Sequence, residues 1–141
     1  MTTIRRVAIL GGNRIPFARS NTVYSQASNQ EMFTATLQGL VDRFNLHGER
    51  LGDVVGGAVM KHARDFNLVR ECVLSTTLSR DTPAFDIQQA CGTGLEAAMI
   101  VANKIALGHI ECGIDAGVDT TSDAPIALNE KMRNVLLDLS R

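Results

Sequence analysis

The stretch DIQQACGTGLEAAM, Asp86 to Met99, decides how the rest of the chain is read. It sets a single cysteine, Cys91, between an extended segment and an apolar helix, and follows it with Gly92-Thr93-Gly94. Upstream, Pro83 marks a break, and Ala84 to Ala90 reads as an extended run leading into the cysteine. Downstream, Leu95, Ala98, Met99, Ala102, Ile105 and Ala106 recur on one helical face, and Gly108 is suited to end that helix in a left-handed conformation. A strand that passes into a helix through a glycine-rich bend is the joint of an α/β unit.

The flanking sequence repeats the alternation. Arg6 to Leu10 (RVAIL) is a short branched run ending at Gly11-Gly12, the pattern of a strand buried on both faces. Ser28-Asn-Gln-Glu31 fits a capping box, and Phe33, Leu37, Leu40, Val41 and Phe44 follow at helical spacing until Gly48. Val54 to Met60 (VVGGAVM) is a second strand, whose Gly56-Gly57 pair predicts close backbone approach by a neighbour. Asp65 or Asn67 caps a helix carrying Leu68, Val69, Cys72 and Val73 and ending near Leu78. Finally Ile110, Cys112, Ile114, Ala116 and Val118 alternate with Glu, Gly, Asp, Gly and Asp, a period of two that predicts a strand. The order β-α-β-α-β-α-β predicts an α/β fold with a mostly parallel sheet and helices on both faces. In such sheets functional groups gather beyond the carboxyl ends of strands, where Cys91 falls.

Composition limits the partners. At 141 residues the chain has the size of one domain, able to bury roughly 68–70% of its unfolded surface. A net charge of −1 offers no basic excess for phosphate backbones, so no nucleic acid is expected. The apolar run near the N-terminus is too short for a membrane span or a signal core, so the expectation is a cytoplasmic protein without membrane association. Cys72, Cys91 and Cys112 are odd in number and widely spaced, which implies neither a disulfide framework nor a metal site. His47, His62 and His109 are scattered and read as surface residues. Gly11-Gly12-Asn13 lacks the GxGxxG spacing of a dinucleotide-binding turn.

A thiol near its ordinary pKa is only about 3% thiolate at neutral pH, and the thiolate is the nucleophile. A helix start, with its dipole and free N–H groups, favours a thiolate and can hold a developing oxyanion. Gly92 and Gly94 permit the bend and keep side chains away from an incoming acyl group, while Glu96 opposes the dipole. Local pattern alone leaves two readings of Cys91, a nucleophile or a small buried hydrophobe. Cys72 and Cys112 fall on apolar faces of a helix and a strand and read as filler.

Three motifs in order resemble the N-terminal half of the thiolases, the acyl-CoA acyltransferases. Arg14-Ile-Pro-Phe17 is similar to their Arg-Thr-Pro-Phe signature, Cys91-Gly-Thr-Gly-Leu95 to the nucleophile turn Cys-Gly-Ser-Gly-Leu, and Ala116-Gly-Val-Asp119 to a Gly-Gly-Met-Glu segment. Lys61 to Leu68 (KHARDFNL) resembles thiolases of fatty-acid β-oxidation. The resemblance implies that Cys91 attacks the ketone of a 3-ketoacyl-CoA, releases acetyl-CoA, holds the acyl group as a thioester and passes it to free CoA. The reverse direction is a Claisen condensation to acetoacetyl-CoA. It implies no cofactor, coenzyme A being a substrate, and acyl-CoA and coenzyme A as partners. It also implies a homodimer or homotetramer and a β-oxidation hydratase/dehydrogenase subunit as a further partner.

The family completes its site with a histidine in Gly-His-Pro, a second cysteine in Cys-Xaa-Gly and an Asn-Glu segment, and neither of the first two motifs is found in this sequence. His47, His62 and His109 lack the first context, and Cys112-Gly-Ile does not fit the second. The expectation is a thiolase core over residues 1–122, followed by the start of a truncated loop region over 123–141, nearly inert in isolation. Two alternatives accompany it: a catalytically silent assembly module, and a ketoacyl-synthase-type condensing enzyme. Asp115 stands where the family has a small apolar residue, and it needs either a partner or solvent.

Overall fold

The computed structural model describes residues 4–141. A three-stranded parallel sheet lies at its centre, formed by β1 (Asp53–Gly56), β2 (Ala84–Asp86) and β3 (Gly113–Asp115) in the order β2-β1-β3. Val54 pairs with Ala84 on one side and with Ile114 on the other. Because side chains alternate across a strand, Val54 and Val55 face opposite ways, and each is fully buried. Val54 joins Phe33, Leu37 and Val41 of helix α1 (Asn29–Phe44) and Leu68, Val69, Cys72 and Val73 of helix α2 (Leu68–Leu74). On the other face Val55 meets Ala97 and Val101 of helix α3 (Thr93–Ala106). Each fully buried valine or leucine contributes about 1.5–3 kcal/mol, so one four-residue strand anchors two cores. Parallel sheet and helices on both faces are as the sequence predicts.

Local signals explain the helix ends. Ser28 Oγ accepts from the Glu31 N–H (3.2 Å) while the Glu31 carboxylate accepts from the Ser28 N–H (2.8 Å), closing the expected capping box. α1 stops at Asn45, which takes the left-handed conformation (φ 52°), three residues before the expected Gly48. α2 starts at the cap Asn67, and it ends at Leu74 rather than near Leu78. There the hydroxyls of Ser75 and Thr76 donate to the carbonyls of Glu71 and Val73 (2.8 Å each) and compete with the helical pattern. A further helix, α4 (Glu130–Leu139), has no buried residue.

The expected first strand, Arg6 to Leu10, does not form. Ile9 is 95% exposed and Leu10 83%. β-branched composition favours a strand only where a neighbouring strand takes up its N–H and C=O groups. Here the chain instead leans on the end of α3, with Arg5 N–H donating to the Ala106 carbonyl (3.0 Å) and the Arg5 guanidinium to Glu111 (2.7 Å). The other strands are shorter than their apolar runs. β3 begins at Gly113, so Cys112 lies just before the strand and is exposed, which corrects its reading as filler on a strand face. Asp115 is exposed to solvent and so needs no buried partner.

Candidate active-site turn

Cys91 lies two residues before the first residue of α3, and its side chain is exposed. The turn that carries it is built outward from β2. Ile87 N–H donates to the Gly56 carbonyl (2.8 Å), extending the ladder by one residue. The chain then folds back on itself: Gly92 N–H donates to the Gln89 carbonyl (2.9 Å) and Thr93 N–H to the Ala90 carbonyl (3.2 Å). Ala90 is held at φ 47°, a left-handed conformation unusual for a residue with a Cβ. Glu96 N–H donates to the Gly92 carbonyl (2.9 Å) as the helix begins. Among the described residues the N–H groups of Gly94 and Leu95 donate no hydrogen bond, leaving two donors at the helix start beside the cysteine.

Glycines let this turn sit close to the sheet. A Cβ on Gly57 would lie 2.0 Å from the Ile87 carbonyl oxygen and 3.3 Å from Thr93 Cγ2, the close approach expected from the Gly56-Gly57 pair. A Cβ on Gly117 would touch Gly94 Cα at 3.4 Å. A Cβ on Gly94 would meet nothing, so the space in front of that residue is open. Val118 N–H donates to the Gly57 carbonyl (3.1 Å), and the Asp119 carboxylate accepts from the N–H groups of Val59 (2.9 Å) and Met60 (3.0 Å). The segment Ala116 to Asp119 is thereby fastened to the loop after β1 that supports the cysteine turn. The Arg14 to Phe17 motif has no such tie. Its neighbourhood is α1, where Asn13 donates to the Thr36 carbonyl (3.0 Å) and Arg43 to the Gly12 carbonyl (2.8 Å), and Phe17 is 91% exposed.

Two of the three cysteines are thus available and one is not. Cys72 is fully buried on α2, and burial pushes its thiol up to about 11. No hydrogen bond joins Cys91 to a histidine among the described residues. His47 bonds Thr77 (2.8 Å), His62 is half-buried against Asp123 (3.2 Å), and His109 is exposed. No group of His, Cys, Asp or Glu suited to a metal ion occurs among the described residues. A groove of about 860 Å³ beside Ser28, Gln30, Glu31 and Arg64 lies at the start of α1 and does not include Cys91.

Asp86 was not anticipated. Its carboxylate accepts from Lys61 Nζ (2.6 Å) and from the N–H groups of Leu68 (3.1 Å) and Val69 (2.8 Å), fixing the end of β2 to the start of α2. A lysine and an aspartate 25 residues apart gave no sequence signal for this pairing.

The family profile described as "Thiolase, N-terminal domain" matches residues 7–139. The chain belongs to the thiolase family. It is 36% identical over 136 residues to a 3-ketoacyl-CoA thiolase of Vibrio cholerae, covering 96% of this chain and 31% of that protein. A 3-ketoacyl-CoA thiolase of Shewanella denitrificans is 33% identical over the same length. The thiolase chain therefore spans about a third of the length of these relatives. The crystal structure of the Bacillus anthracis acetyl-CoA acetyltransferase shares its fold, with a TM-score of 0.86 at 24% identity over 93% of this chain and 33% of that one. No helix among the described residues is long and apolar enough to cross a membrane.

Proposed function

We propose that this thiolase chain carries the nucleophile of an acyl-CoA acyltransferase, and that Cys91 is that nucleophile. The observation that supports the reading is the exposed thiol of Cys91 at the opening of α3, with open space before Gly94 and two unbonded N–H groups in the first turn. Thiolate attack on the ketone carbon of a 3-ketoacyl-CoA cleaves the adjacent carbon–carbon bond. Acetyl-CoA leaves after taking a proton, and the remaining acyl group stays on sulfur as a thioester. The thiol of coenzyme A then displaces Cys91 and carries the acyl group away. Backbone N–H donors at the helix start stabilise the oxyanion that develops at each addition. Turnover requires a base and a second acid in addition to the groups of this turn.

The test is acetylation. The native protein is incubated with acetyl-CoA, quenched in acid and mapped by peptide mass spectrometry. The expected result is one acetyl group on Cys91; acetylation on Cys112 in its place overturns the assignment.

A second reading is favoured by the apolar surface. Ile9, Leu10 and Phe17 are each more than four-fifths exposed, and α4 buries nothing. Surface of this kind suits a part that assembles with further polypeptide, and it accommodates a catalytically silent role. Co-purification with a complete thiolase, together with an unacetylated Cys91, selects that reading.

A further inference from the structure

We infer that Thr93 is a positioning residue for the Cys91 thiol, acting through its hydroxyl on the strained residue Ala90. The inference rests on Cys91 being the nucleophile. Thr93 is 5% exposed, a buried polar side chain in the first turn of a helix that offers its hydroxyl two local partners. Its Oγ1 accepts from the Gln89 N–H (2.9 Å) and donates to the Ala90 carbonyl (2.8 Å). The Thr93 N–H reaches the same carbonyl (3.2 Å), so the peptide after Ala90 is held from two atoms of one residue. The methyl group completes the anchor, since Thr93 Cγ2 packs over Gly57, 3.3 Å from where a Cβ at that position would stand.

These contacts bracket the cysteine. Gln89 and Ala90 precede Cys91, and Thr93 follows it by two residues, so the hydroxyl staples the two ends of the turn whose middle carries the sulfur. Ala90 pays for its left-handed φ of 47° in backbone strain that an L-residue avoids when released. Without the Thr93 hydroxyl, Ala90 relaxes to an extended or helical φ, and the Cys91 side chain leaves the place at the start of α3 at which the turn presents it. Serine retains the hydroxyl, and valine retains the shape without it.

The experiment measures alkylation of each cysteine of the full chain by iodoacetamide, in which the thiolate sulfur displaces iodide and its proton passes to the buffer. Rates at Cys91 and Cys112 are read by peptide mass spectrometry across the pH range in which thiols ionise. Wild-type Cys91 is expected to react faster than Cys112. Thr93→Val slows Cys91 by roughly three- to tenfold, as loss of one hydroxyl's hydrogen bonds implies, while Cys112 is unmoved. Thr93→Ser stays within about twofold of wild type. Ala90→Gly in the Thr93→Val background removes the strain and restores the Cys91 rate.

A Thr93→Val chain with the wild-type Cys91 rate overturns the proposal. So does failure of both Thr93→Val and the double variant to fold, because a hydroxyl that acts through residue 90 is replaceable by glycine there. If wild-type Cys91 is neither acetylated nor faster than Cys112, the nucleophile assignment fails instead, and the two failures are told apart by the wild-type chain alone.

Discussion

Replacing Gly57 by alanine tests whether the close approach of the cysteine turn to the sheet is required. The new Cβ would stand 2.0 Å from the Ile87 carbonyl oxygen and 3.2 Å from its carbon. Carbon and oxygen do not approach to within 3.0 Å at a real Cβ, so the two backbones must separate by about 1 Å. No flexible side-chain end is available to absorb the shift, because the obstacle is a peptide group. Ile87 is also tied by its N–H to the Gly56 carbonyl (2.8 Å), and retreat stretches that bond. Overpacking of this kind costs about 1–3 kcal/mol, and a weakened backbone bond adds about 1 kcal/mol. The expected destabilisation is about 2–4 kcal/mol, or a Tm lower by about 6–15 °C for a chain of this size. Thermal and urea unfolding followed by circular dichroism measure it, with Gly12→Ala as the control, since a Cβ there meets nothing within 4 Å. The same shift moves Thr93, so Cys91 alkylation slows with it. A Gly57→Ala chain as stable as Gly12→Ala would refute the reasoning.

Three further outcomes follow from the packing. Cys72 keeps its proton up to about 11 in the folded chain against an ordinary 9.0, so the unfolded chain loses that proton first as pH rises. Stability therefore falls between about pH 9 and 11, by up to about 3 kcal/mol, and Cys72→Ala flattens that fall in urea midpoints measured at both ends of the window. Asp86→Ala leaves Lys61 and two N–H groups of α2 without their acceptor, and equilibrium unfolding should show a loss of about 2–4 kcal/mol. Ser28→Ala removes a helix cap at a cost of about 1 kcal/mol. It also relaxes Glu31, whose carboxyl is held below its usual value first by the Ser28 N–H and then by the Ser28 hydroxyl; an NMR titration should find it partway back, the backbone bond remaining.

The sequence carried the parts of this architecture that depend on neighbours along the chain. The capping box at Ser28 and Glu31, the apolar spacing of α1, and the passage from β2 through Cys91 into α3 are local, and each appears at the expected position. What failed depended on distant partners. Arg6 to Leu10 has the composition of a buried strand, yet a strand exists only beside another, and no stretch of RVAIL says whether one is there. Cys112 kept the alternating pattern but fell one residue outside β3. The place of the Cys91 turn between β2 and α3 was legible and its mechanics were not. Nothing in Ala90 announces a left-handed residue, because alanine seldom adopts one, and the hydroxyl that holds it there is visible only when Gln89 and Thr93 are seen in contact.

The central place of β1 fixes an order of events. Its two partners follow it in the chain, β2 about thirty residues later and β3 sixty residues later, and the first turn of α3 rests on Gly57 at one end and Gly117 at the other. During synthesis the cysteine therefore emerges before the last of the segments that seat it. Until the third strand arrives the turn that carries the thiol lacks its support at Gly117, so its final seating should coincide with closure of the sheet and not with formation of the helix that follows it.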